Sequence, residues 1–331
     1  MGADYVFTSA YVRSLERNML RAEQFRSMLA SNNMDEICST IQNAGYGSES
    51  DPFTADNYQR LTSQAKRSWI NDLIALCDDF DGIKAFVYMY DYHNIKVLLK
   101  SEALGTDASD LLVDTGVFYA DDMVDAVRNR KGNIVTPHMY EAILEAAETL
   151  ARTGDPQYVD TICDKYCFLD MNEAADSTGN EFIKGFLRLY TDTINIMTYL
   201  RVKAVGGSWT YFREVFVPGG NVDELAFAKV TEADVATFAK AFESANLGEA
   251  VAVGREHYEK TGDFSILEKM CDDALIDYVS SAKIISYGSE VVLAYLYAKH
   301  IEAKNIRILM GGKLAGIAPE LIAERIRKTY E

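Results

Sequence analysis

The sequence predicts an all-α chain built of three similar helical bundles, and three observations carry that reading. Only five prolines fall in 331 residues, so long helices are permitted throughout. No segment alternates apolar and polar residues over a useful strand length. A short motif, acid-x-x-Asn-Ile, recurs at domain-sized intervals as DYHNIK from Asp91, DTINIM from Asp192 and EAKNIR from Glu302. Each copy has a glycine fourteen residues after its acid: Gly105, Gly206 and Gly316.

The first repeat, residues 1–117, opens with YVRSLERNMLRAEQFRSML. Val12, Leu15, Met19 and Phe25 line one side of that helix, and Arg13, Arg17 and Arg21 run along another. The Gly/Ser/Asp/Pro-rich NAGYGSESDPFTADN reads as an inserted loop, before a long helix that contains Asp91 and Asn94 and stops at Gly105. The second repeat, 118–222, begins a helix at ADDMVDAV, with acids placed to complement a helix N-terminus. Its TGDPQYVDTICDK matches TGDFSILEKMCDD of the third repeat, 223–331, so Cys163 and Cys271 are expected at equivalent core positions. Asn33-Met34-Asp35 is the candidate counterpart in the first repeat. The long helices of repeats two and three carry Asp192 with Asn195 and Glu302 with Asn305. VDELAFAKV and APELIAERIR supply further helix starts.

Charge excludes some function classes. With 33 basic and 50 acidic side chains the formal net charge is −17, which repels nucleic-acid phosphates and anionic lipid headgroups. No apolar run approaches the roughly 20 residues of a membrane span, and MGADYVFTSAYVRSLERN is broken by charges. A cytoplasmic chain without a signal peptide is expected. The five cysteines form no paired CxxC framework and are expected as buried free thiols. His93, His138, His257 and His300 show no HExxH or HxxxH spacing, so neither a metal site nor a cofactor is expected.

Candidate chemistry is thin. DDMVD (Asp121, Asp122, Asp125) and DDALID (Asp272, Asp273, Asp277) resemble the aspartate motifs of magnesium-dependent isoprenoid or terpene synthases, themselves all-α. The repeats supply a structural alternative, because Asp121 and Asp122 sit at a helix start shared with Asp223, Glu224 and Glu320. MGGKLAG from Met310 lacks the earlier glycine and the Ser/Thr of a P-loop. A polar pair present three times points to architecture rather than catalysis, with Asp91 and Asn94 joining helices through hydrogen bonds. A helical-repeat scaffold that binds a protein or peptide is an alternative reading of another class.

FVYMYDYHNIKVLLKSEALG, its two weaker copies, VPGG at Val217–Gly220 and the terminal IAPELIAERIR resemble the C subunit of the archaeal and bacterial V/A-type ATPases, which is similar to the d subunit of the eukaryotic vacuolar enzyme. The resemblance covers essentially the whole chain. It implies a funnel of three bundles with approximate threefold pseudo-symmetry, without catalytic residues, in the central stalk of an ATP-driven ion-transport complex. Such a rotor part seats the shaft, made of the D and F subunits, on the membrane proteolipid ring, at the cytoplasmic face, without inserting into lipid. Tyr92 and His93 are replaced by Thr193-Ile194 and Ala303-Lys304 in the other copies, which marks them, with Lys96, as candidate partner contacts. Phe118, Trp209, Tyr211 and Phe212 follow the glycines and are either interface anchors or residues packed under the next helix.

Overall fold

The computed structural model describes residues 4–77, 81–229 and 234–331, and among them every regular element is helical. Sixteen α-helices follow in order: α1 (Asp4–Glu16), α2 (Ala22–Ala30), α3 (Met34–Asn43), α4 (Tyr58–Leu76), α5 (Asp81–Leu104), α6 (Ala120–Arg128), α7 (Pro137–Thr153), α8 (Gln157–Thr178), α9 (Glu181–Ala204), α10 (Trp209–Val215), α11 (Glu224–Lys229), α12 (Val235–Lys240), α13 (Gly248–Thr261), α14 (Ser265–Ser280), α15 (Ser289–Leu314) and α16 (Pro319–Ala323). They divide into two compact units, Met1–Asp79 with Asp234–Glu331, and Phe80–Ala233. No helix among the described residues is long and apolar enough to cross a membrane.

Local chemistry starts and stops these helices. Thr136 caps α7 by accepting the Met139 amide, Pro137 occupies the position where a missing N–H costs nothing, and Gly154 closes the helix at φ 70°. Asn180 caps α9 by accepting the amides of Phe182 and Ile183. All three long helices are followed by a left-handed glycine, Gly105 at φ 64°, Gly206 at 72° and Gly316 at 68°. The stretch read as one helix from Tyr11 is instead broken between Glu16 and Ala22, for a reason given below.

In the unit of Phe80–Ala233, α8 packs along both α5 and α7. Ile95, Leu98 and Leu99 of α5, Ala142, Ile143 and Ala146 of α7, and Val159 and Cys163 of α8 are buried there. In the other unit the central element is α15, whose run from Val291 to Lys299 is buried on all sides. Its later turns, with Ile306, Leu309 and Met310, share a core with Phe25 and Met28 of α2 and Ile37 and Ile41 of α3. The cysteines are free thiols; Cys38, Cys163, Cys167 and Cys271 are buried and Cys77 is partly exposed.

Candidate functional site

Asp91 and Asn94 lie one turn apart on α5 and are fully buried. Unpaired, they would cost several kcal/mol. Both are spent on backbone. Asn94 Nδ2 donates to the Val113 carbonyl at 2.8 Å while the Val113 amide donates to Asn94 Oδ1 at 2.9 Å. Asp91 then accepts the amides of Val117 (2.8 Å) and Phe118 (3.1 Å), two residues before α6 begins. A Cβ on Gly116 would lie 1.9 Å from Asp91 Oδ1, so only glycine lets the chain approach the carboxylate this closely.

The same construction occurs on α9. Asn195 donates to the Val217 carbonyl at 2.7 Å and accepts the Val217 amide at 2.9 Å. Asp192 accepts the amides of Asn221 (3.1 Å) and Val222 (3.0 Å), two residues before α11, and also the Asn221 side chain at 2.8 Å. The VPGG segment is thus the clamped strip itself: Val217 holds Asn195, and a Cβ on Gly220 would meet Asp192 Oδ1 at 2.2 Å.

On α15, Asn305 clasps Arg327 in the same two-way manner, at 3.0 and 2.9 Å. Its acid reaches elsewhere. Glu302 accepts the amide of Leu20 at 2.6 Å, from the opposite end of the sequence and two residues before α2 begins. This is why the first amphipathic stretch is broken: the chain must leave α1 for Leu20 to present its N–H. The other carboxylate oxygen accepts the Tyr46 hydroxyl at 2.8 Å and pairs with buried Lys299. Lys299 lies 3.7 Å from the centre of the Trp69 ring and 4.8 Å from that of Tyr46.

Electrostatics separates the three acids. Burial pushes the Asp91 carboxyl up to about 7, against the two amide bonds that favour its charged form. Burial also raises Asp192, opposed by Val222 and Asn221. Glu302 has a cation beside it; the described partners of Asp91 and Asp192 are neutral.

The candidate contact residues divide. Tyr92 and Phe212 are core, each 1% exposed, and are not surfaces for a partner. Tyr92 donates to Asp170 on α8 at 2.7 Å, and Phe212 packs against Tyr199, Trp209, Phe216 and Phe227. Trp209, Tyr211 and Phe118 are partly exposed, with Tyr211 edge-on to Tyr158. Lys96 is paired with Asp164 of α8 at 2.5 Å. His93 is exposed, with Nε2 3.3 Å from the Leu111 carbonyl. Sequence reasoning passed over the residues one or two before the glycines: Leu104 and Val205 are 75% and 81% exposed, and Leu314 50%.

The second aspartate cluster and Asp125 of the first are engaged by the chain's own donors. Asp272 accepts from Lys304 (2.5 Å) and Arg327 (2.9 Å), Asp273 from Lys269 (2.5 Å) and the Lys328 amide (2.6 Å), and Asp277 from Lys328 Nζ (2.6 Å). Asp125 pairs with Lys131, while Asp121 and Asp122 are exposed in the first turn of α6. The TGD turns are built identically, since Asp155 and Asp263 each take an amide from two residues on and give their own to the preceding threonine hydroxyl. In the first repeat Ser31 and Asn33 make those bonds, so the counterpart begins at Ser31, two residues before Asn33.

The model of the ATP synthase (C/AC39) subunit family matches residues 8–325. The chain belongs to that family. Its relatives include the C subunit of the V-type sodium ATPase of Enterococcus hirae, 22% identical with 99% of each chain covered. The C subunit of the A-type ATP synthase of Thermococcus kodakarensis is 24% identical over 97% of this chain and 89% of its own. That of Methanosarcina mazei is 24% identical over 98% and 93%. Membership makes the chain a C subunit of a V/A-type ATP synthase complex, and the buried acid-and-asparagine clamps are the architecture of this member.

Proposed function

We propose that the chain is a non-catalytic rotor component that seats a shaft of D and F subunits on the membrane proteolipid ring, transmitting torque coupled to proton or sodium transport. It sits at the cytoplasmic face and is held there by its integral partner rather than by lipid. The observation that carries this reading is the family match over 8–325, with relatives named as C subunits of a V-type sodium ATPase and of A-type ATP synthases.

Two features of the chain support it physically. A torque-bearing part needs stiff joints: α5 and α9 are each tied from the middle, by an asparagine and an acid together, to the segment that leads into a later helix, while on α15 Asn305 holds Arg327 and Glu302 holds the approach to α2. A part with several separated contacts needs apolar surface, and Leu104, Val205 and Leu314 expose it beside the three helix-ending glycines. The repeats 1–117, 118–222 and 223–331, arranged as a funnel, belong to the same proposal.

Co-purification tests it. Tagged D–F shaft is expected to retain detergent-solubilised ring only when this chain is present. Equal retention in its absence removes the adaptor role.

A further inference from the structure

His138 stands 32 and 35 residues before Asp170 and Glu173, a separation that hid the group from any motif search. In the unit of Phe80–Ala233 they meet where the first turn of α7 faces α8. One ligand-capable atom from each lies within 4.8 Å of the other two. His138 Nε2 is 3.5 Å from Glu173 Oε2, close to the ~3.3 Å edge between ligand atoms about 2.0 Å from a tetrahedral zinc.

The protein's own hydrogen bonds to Asp170 fall on one carboxylate oxygen. Asp170 is 3% exposed, and both hydroxyl donors, Tyr92 at 2.7 Å and Thr136 at 2.6 Å, go to its Oδ2. Among the described residues Oδ1 accepts none. The donors to this carboxylate are neutral, no lysine or arginine among the described residues pairs with it, and Oδ1 is open to a further ligand.

We propose that His138, Asp170 and Glu173 bind one divalent transition-metal ion of the zinc class. One imidazole with two carboxylates suits zinc, cobalt or nickel better than magnesium or calcium, which prefer six or more oxygens. Tyr92 and Thr136 orient the Asp170 carboxylate from behind, as outer-shell partners do in metal sites. Glu173, with a side chain 75% exposed, is free to swing the last ångström and leaves a position for water. The ion ties α7 to α8 and, through Tyr92, to α5.

The full chain, stripped with EDTA, is titrated with Zn²⁺ by calorimetry and melted with and without it; Co²⁺ then serves as the spectroscopic probe. One equivalent of zinc is expected to bind and raise Tm, with millimolar Mg²⁺ inactive. Cobalt is expected to give visible ligand-field bands without the near-ultraviolet thiolate bands that cysteine ligation produces. Glu173→Gln, at an exposed position that leaves folding intact, and His138→Gln are each expected to weaken zinc binding about tenfold or more, with Cys77→Ser neutral. No binding by the unaltered chain at about 1 mM zinc, about −4 kcal/mol, overturns the proposal. So does unchanged affinity in Glu173→Gln, or a thiolate spectrum.

Discussion

Asp91 and Glu302 hold the same place in the motif and solve one problem differently. At Asp91 a short acid meets a chain brought close by Gly116, and two neutral amides are its only hydrogen-bond donors among the described residues. At Glu302 the residue before the donating amide is Met19 rather than glycine, the acid is one methylene longer, and the second amide, that of Arg21, goes to Gln24 at 2.9 Å. A buried lysine and a tyrosine make up the remainder. The position therefore selects a carboxylate that can receive backbone N–H groups, and each site balances the buried charge by its own means.

The largest effect is expected where that charge is balanced by a cation. Glu302→Ala leaves Lys299 buried without its counter-ion and is expected to cost about 3–5 kcal/mol, whereas the double change Lys299→Met/Glu302→Gln costs clearly less. Urea unfolding measures both. Equal losses would show that the stranded Lys299 charge is not what costs the stability. Gly116→Ala comes next. Its Cβ, 1.9 Å from Asp91 Oδ1, forces the clamp apart at an expected cost of about 1–3 kcal/mol. A neutral result would mean that the strip can move away without penalty.

A pH series sharpens the contrast further. The Asp91 carboxyl ionises near 3.8 unfolded and near 7 folded, so from about 4 to about 7 the unfolded state releases a proton that the folded state keeps. Its contribution to stability is full below that window and falls as pH rises through it. Asp91→Asn loses one acceptor but is expected to flatten that part of the profile. Parallel profiles for the two proteins would place Asp91 in its charged form throughout. The smallest effect on folding is expected at the helix ends. Leu104→Ser and Val205→Ser are expected to alter stability by no more than about 0.5 kcal/mol, while weakening capture of ring or shaft in a pull-down. A large drop in Tm with normal capture would make these residues structural.

The helices and the clamp residues were legible because they depend on local signals: few prolines, glycine stops, and a polar pair on an otherwise apolar helix. What the pair bound was not legible. Asn94 and Asn195 reach 19 and 22 residues ahead, and Glu302 reaches back 282 residues to Leu20, distances at which periodicity carries no information. Tyr92 looked like a contact because it differs between copies, yet it is buried and spends its hydroxyl on Asp170 of α8. The break after Glu16 was missed because the apolar side of the sequence runs on through it as though the helix did.

The proposed torque-transmitting role is open to a direct test of coupling. The V/A-type complex is reconstituted into vesicles with and without this chain, and ATP hydrolysis and ion uptake are followed together. With the chain, uptake is expected to track hydrolysis. Without it, hydrolysis is expected to continue while uptake falls to background; ion uptake that stays coupled to hydrolysis in its absence would contradict the coupling role.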